Sequence, residues 1–159
     1  MTIKICCVGK LKETFFADAC AEYAKRLSRY CTVKVLEAAD EKAPATLSAA
    51  EEEQVKAREG ERLLAFIDPK DTVIALTIGG KRYSSETFAA HLQKLEEEGA
   101  RSVAFLIGGS LGLGRTVLQR ADETLSLSDM TLPHRIARLV LLEQIFRSFK
   151  IRHGETYHK

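Results

Sequence analysis

No apolar run in this 159-residue chain reaches the roughly 20 residues needed to cross a bilayer. The run Ile5 to Val8 is far too short for a secretion signal and is followed by Lys10 and Lys12, so a cytoplasmic protein without a membrane partner is expected. None of the four cysteines, Cys6, Cys7, Cys20 and Cys31, forms a C-x-x-C pair, which excludes the commonest zinc and redox spacing. They read as structural thiols, and no metal site is expected. Charge of one sign is not in excess either: 24 Lys and Arg stand against 22 Asp and Glu, a formal charge of +2, so the total does not argue for a polyanionic partner. Repeats, low-complexity tracts and composition breaks are absent. With 45% hydrophobic residues the chain can bury a real core, and one domain over residues 1–159 is expected.

What is present alternates in period. Ile3 to Val8 reads as a strand, and Phe16, Cys20, Tyr23 and Leu27 then recur at helical spacing. Thr32 to Leu36 is a second strand, followed by an exposed loop containing Pro44. Ser48 with Glu51 forms a capping box that opens a charged helix to about Leu64. Thr72 to Ile78 is a third strand, and Glu86 to Glu98 a helix with Phe88, Leu92 and Leu95 on one face and Gly99 as its C-terminal cap. Ser102 to Ile107 is a fourth strand, Arg115 to Ala121 a short helix, and Thr124 to Ser128 a fifth strand. Pro133 suits the first turn of a long helix whose apolar stripe comprises Ile136, Leu139, Val140, Ile145, Phe146 and Phe149. Such alternation predicts an α/β fold with a mainly parallel sheet and helices on both faces. The stripe is broader than one core-facing helix needs, which suggests a partner.

The segment FLIGGSLGLGRT, residues 105–116, stands one residue from the G-x-x-x-x-G-K-[ST] loop that cradles nucleotide phosphates. Arg115 occupies the lysine position, and a planar guanidinium does not replace a compact ammonium reaching the β and γ phosphates. An aspartate placed to organise Mg²⁺ is also poorly supported, because Asp129 follows the alternating LSLS rather than a solid apolar strand. A G-x-G-x-x-G dinucleotide fingerprint is absent. From this segment alone, glycines that only make tight turns remain an alternative.

Together with LSLSDMTLPHRIARLVLLEQIFRSFKI, the terminal RHGETYHK and the N-terminal ICCVGKLKE, the segment closely resembles the RlmH group of small bacterial methyltransferases in the SPOUT class, over essentially the whole chain. The resemblance implies a deep C-terminal trefoil knot, which ordinary connection rules would not suggest. It implies S-adenosyl-L-methionine as methyl donor, held by Leu76, Gly108, Gly109, Leu127, Ser128, Asp129, Met130, Thr131 and Leu132. All follow strand C-terminal ends, where open α/β sheets bind ligands. On this reading the glycines let backbone approach a flat adenine and ribose, and no phosphate needs neutralising.

The implied reaction is methylation of N3 of a pseudouridine in 23S rRNA, on an assembled ribosome, by a homodimer whose site is shared across the interface. The acceptor nitrogen must lie in line with methyl and sulfur and lose its proton. His134 and His158 are the candidates for that proton; Tyr157 is assigned a stacking or hydrogen-bonding contact, Arg147 a phosphate or active-site contact, and Lys159 a place in the acceptor site. His91 reads as an ordinary surface residue. Arg135, Arg138, Lys150 and Arg152 are expected as phosphate contacts, since positive charge collects after His134. Three rivals remain: a non-catalytic ribosome-associated protein of the same fold, a nucleotide-hydrolysing switch, and a related methyltransferase acting on another RNA.

Overall fold

The computed structural model describes residues 1–159. Five strands, β1 (Thr2–Val8), β2 (Thr32–Ala38), β3 (Thr72–Lys81), β4 (Ser102–Ile107) and β5 (Glu123–Leu125), form one sheet in the order β2-β1-β4-β3-β5, with every neighbouring pair parallel. Five helices connect and follow them: α1 (Thr14–Leu27), α2 (Ala49–Leu64), α3 (Ser85–Glu97), α4 (Arg115–Arg120) and α5 (His134–Arg152).

The two central strands are buried on both faces, and their alternation sorts the core into two layers. Ile3, Ile5 and Cys7 with Val103, Phe105 and Ile107 pack under α1, α3 and α5. Cys6 and Val8 with Ala104 and Leu106 pack under Leu63 of α2 and Val117 of α4. Lys4 shares the second face, and its ammonium is buried against Asp71 at 2.7 Å and Asp68 at 2.6 Å, so the charge is paired. Helix starts follow the sequence closely. Ser48 and Glu51 satisfy each other's backbone amides at 3.2 Å, and Ser84 with Thr87 repeats the device at α3. Gly99 ends α3 with φ +99°, a conformation that favours glycine.

Two elements depart from the sequence expectation, and both do so at one place. The third strand runs on past Ile78 to Lys81, while the fifth is only three residues long and stops at Leu125. At that place Leu125 pairs with both Leu76 and Lys81, across an irregularity in β3. The Ser126 amide donates to the Lys81 carbonyl at 2.9 Å, and the chain leaves the sheet beyond Leu125. Pro133 lies just outside the helix it was expected to begin. It has extended backbone, and its carbonyl accepts the first helical bond, from Ala137 at 2.9 Å.

Candidate active site

The C-terminal ends of β3, β4 and β5 surround a cavity of about 650 Å³, a size that suits a small organic ligand. Leu76 and Ile78 line it from β3, Gly108 to Leu113 from the turn after β4, and Leu125 to Ser128 with Met130 to Leu132 from the segment after β5. Pro133, His134 and Ala137 close it from the start of α5. Of the nine residues expected at the cofactor, eight line this cavity. Asp129 is the exception: its carboxylate turns outward and pairs with Arg82. Met130 sits on the rim, 77% exposed.

The sequence did not single out Thr77, Ile78, Leu118 or the turn Ser110–Leu113 as lining residues. Their signal was adjacency alone, since they flank the glycines and the end of β3.

The glycines have a structural reason of their own. A Cβ on Gly108 would stand 2.6 Å from the carbonyl carbon of Gly112, and one on Gly109 would stand 3.3 Å from Glu59 Oε1 and from Val8 Cγ1. Both directions lead into protein rather than into the cavity. Gly108 and Gly112 are therefore required by a tight turn, in which the Gly112 amide donates to the Gly109 carbonyl at 3.0 Å and Gly112 adopts φ +85°. That turn leaves the loop backbone along the cavity wall, where its amides and carbonyls can address a ligand.

No lysine, arginine, aspartate or glutamate lines the cavity, and His134 is its only titratable side chain. A nucleotide-phosphate site has no cation here, and Arg115 opens instead onto a separate shallow groove with Glu53 and Lys56. No cluster of three or more His, Cys, Asp or Glu is arranged to hold a metal. Burial, followed by the nearby Arg135 and Arg138 charges, holds His134 below its ordinary value of 6.5. The ring is therefore neutral at pH 7 and can accept a proton.

The other candidates gather elsewhere. Arg147 donates from Nε and Nη2 to Glu143 Oε1 at 3.0 and 2.6 Å, and the Tyr157 hydroxyl donates to the same oxygen at 3.0 Å. Arg147 Nη1 lies 3.1 Å from His158 Nδ1, and His158 Nε2 lies 2.8 Å from Glu86 Oε1. The guanidinium also covers the Tyr157 ring at 4.8 Å, and that ring stands edge-on to Phe146 at 4.9 Å. Burial, with Tyr23 and Glu143 beside it, pushes the Tyr157 hydroxyl above the usual tyrosine range. The bond to Glu143 holds Arg147 firmly charged. Thus Tyr157 and His158 are packed against α5 and α3, while Lys159 is exposed at the end.

The cavity and the tail cluster are not one site within one chain. Arg147 follows His134 by 13 positions on α5, which at 1.5 Å per residue separates them by roughly 20 Å along the axis.

The expected phosphate contacts are already paired with carboxylates: Arg135 with Glu13, Arg138 with Glu37, Lys150 with Glu155 and Arg152 with Glu96. Arg138 is only 2% exposed. Counting cations along the sequence found the charge but could not see these partners, which come from other elements. His91 is likewise no free surface residue, since it is half-buried, 2.6 Å from Glu123 and stacked on Tyr83.

Comparison with known proteins is consistent along the whole chain. The family model described as "Predicted SPOUT methyltransferase" matches residues 1–158. A protein of Listeria welshimeri is 55% identical over 159 residues, one of Lactiplantibacillus plantarum 54% and one of Exiguobacterium sibiricum 51%, each alignment covering both chains completely. All three are named ribosomal RNA large subunit methyltransferase H.

Proposed function

This chain belongs to the SPOUT methyltransferase family, and from that premise we propose that it is an rRNA methyltransferase that transfers a methyl group from S-adenosyl-L-methionine to N3 of a pseudouridine in 23S rRNA, on the assembled ribosome in the cytoplasm. The observation that carries the reading is an apolar cavity at the strand ends with a single titratable side chain, His134. Leu76, Leu127 and Leu132 offer apolar walls to an adenine, and the backbone of Gly108 to Gly112 and of Ser126 to Leu132 offers amides and carbonyls to its edge and to the ribose. The fit is that of a neutral heterocycle rather than a polyphosphate. The pairing of Leu125 with both Leu76 and Lys81 is in keeping with the trefoil knot of the class. No helix of the chain is long and apolar enough to cross a membrane.

When bound, S-adenosyl-L-methionine supplies an electrophilic sulfonium methyl; the protein's part is alignment and proton removal. For transfer to occur, the acceptor N3 would have to lie in line with that methyl and give up its proton to a group of the protein. His134 receives it on a free imidazole nitrogen, because His158 has both of its ring nitrogens engaged. Tyr157, His158 and Arg147 hold the acceptor nucleotide, with Lys159 beside them at the chain end.

That division requires a second copy of the chain. Ile136 is 36% exposed on α5, and Leu139, Val140, Glu143 and Arg147 on the same helix are only half-buried. Two such helices packed antiparallel about a two-fold axis bring Arg147 and the tail of one protomer to the cavity of the other.

The test is methyl transfer from labelled donor to ribosomes lacking the mark, followed by nucleoside mass spectrometry, with assembled ribosomes compared with free large subunits. N3-methylpseudouridine formed only on assembled ribosomes is the expected result. Donor binding without transfer to either would point to another RNA, and failure to bind the donor would overturn the methyltransferase chemistry.

A further inference from the structure

Phe15 is the only exposed one of the seven phenylalanines, at 66%, and the sequence of α1 explains why. The apolar stripe of that helix is Phe16, Cys20, Tyr23 and Leu27, and Phe15 falls beside it rather than on it. Its ring rests against Phe16, with centroids 4.6 Å apart and planes at 45°, and its other side is open to solvent. Core packing does not account for a large aromatic at this position.

The segment that leads into Phe15 carries charge the chain leaves unused. Lys10 and Lys12 are exposed and join no ion pair, whereas the neighbouring Glu13 is taken by Arg135. The segment is also fixed next to the cavity. Val8, which precedes it, borders Gly109 of the cavity wall. Arg138 donates to the Gly9 carbonyl at 3.0 Å and to Glu37 at 2.8 Å, and it belongs to the helix whose first residue, His134, lines the cavity. The paired arginines of α5 thus anchor, at Gly9 and Glu13, the loop that carries two unpaired lysines and leads from the cavity wall to an open aromatic ring.

Resting on the proposed rRNA methyltransferase activity, we infer that Lys10, Lys12 and Phe15 form the docking platform for single-stranded RNA flanking the target nucleotide. The lysines meet phosphates, and Phe15 offers its open face to a neighbouring base. Unpaired ammonium groups beside an exposed aromatic match a charged backbone with flat bases, and stacking tolerates any base. The inference also reassigns the RNA-facing charge from the arginines of α5 to the loop they hold.

The experiment uses the full-length protein with ribosomes lacking the mark. Phe15→Ala should raise KM for ribosomes roughly five- to hundred-fold with kcat little changed, and Phe15→Trp should restore it. Lys10→Ala with Lys12→Ala should weaken binding and flatten the slope of log affinity against log salt by about 1.4, the value for two single-strand phosphates. Donor affinity should be unchanged in every variant. Unchanged KM and salt slope, in a wild-type background that does methylate, would overturn the platform alone; a wild type that transfers no methyl group overturns the rRNA reading itself. Phe15→Ala protein that sediments as a monomer would assign the ring to contact between copies, and that too would overturn the inference.

Discussion

The Cβ that Gly80 lacks would stand 2.7 Å from the carbonyl carbon of Leu125, at the irregularity where β3 pairs with β5. Two further backbone atoms, the nitrogens of Leu125 and Ser126, lie at 2.8 and 2.9 Å from the same point. None belongs to a side chain that could turn away. Gly80→Ala should therefore cost about 1–3 kcal/mol in urea unfolding, and it should weaken donor binding because Ser126 and Leu127 lead directly into the cavity. Gly79→Ala is the control. A Cβ there meets nothing within 4 Å, and stability should stay within about 0.5 kcal/mol of wild type.

Gly108→Ala tests the origin of the cavity wall. Its Cβ would fall 2.6 Å from the carbonyl carbon and 2.7 Å from the carbonyl oxygen of Gly112, so the turn must open. Donor affinity by calorimetry should fall at least tenfold, with the rest of the fold intact by circular dichroism. Gly109→Ala meets only side-chain atoms at 3.3 Å or more, from Glu59 and Val8, and should do less harm. Equal losses at the two positions would show that the ligand, rather than the turn, demands both glycines.

The contrast between these glycines shows what was legible in the sequence. The four strands from Ile3, Thr32, Thr72 and Ser102 were readable because period and β-branching are local properties, and the capping box at Ser48 because it spans three residues. The cavity was readable through resemblance, since strand ends converge wherever a parallel sheet is built. The early end of β5 at Leu125 was not, because it depends on an irregularity in β3 more than forty residues earlier in the chain. The same holds for Arg135, Arg138 and Arg152: a cation is visible in a sequence, but its carboxylate partner on another element is not.

Arg138 shows the consequence. Its guanidinium is buried between Glu37 on β2 and the Gly9 carbonyl, so it is a structural strut at the base of the β1–α1 loop. Arg138→Ala leaves Glu37 unpaired and the Gly9 carbonyl without this donor, and should destabilise the fold by about 3 kcal/mol in chemical denaturation. The slope of ribosome affinity against salt should stay at the wild-type value, because no phosphate contact is lost. A flattened slope would return Arg138 to the RNA interface.

The lowered proton affinity of His134 links pH to stability in one direction. A base whose folded-state pKa lies below its unfolded value of 6.5 favours the folded state fully above pH 6.5, and that contribution is lost as pH falls through the lowered folded value. His134→Gln should remove this part of the acid destabilisation, so urea midpoints of variant and wild type should converge, or cross, between pH 7.5 and pH 5. The wild-type rate should hold on its plateau below pH 6.5 before falling, and His134→Gln should lose methyl transfer while retaining the donor. A variant that keeps the wild-type acid limb would take the proton-accepting role away from His134.

The roughly 20 Å between His134 and Arg147 along α5 makes sharing between protomers testable without a structure of the dimer. Protein lacking Tyr157 to Lys159 should bind donor normally and transfer nothing, because the cavity is intact and the tail cluster is gone. His134→Gln should also be inactive, for the opposite reason. When the two inactive proteins are mixed and allowed to exchange subunits, half of the dimers carry one chain of each kind. In each of those, one site has a wild-type cavity and a wild-type tail from different chains. Activity should return to roughly a quarter of the wild-type level. If each chain used its own tail, no pairing would create a complete site and the mixture would stay dead at every ratio. Recovery on mixing therefore requires that the tail act across the interface.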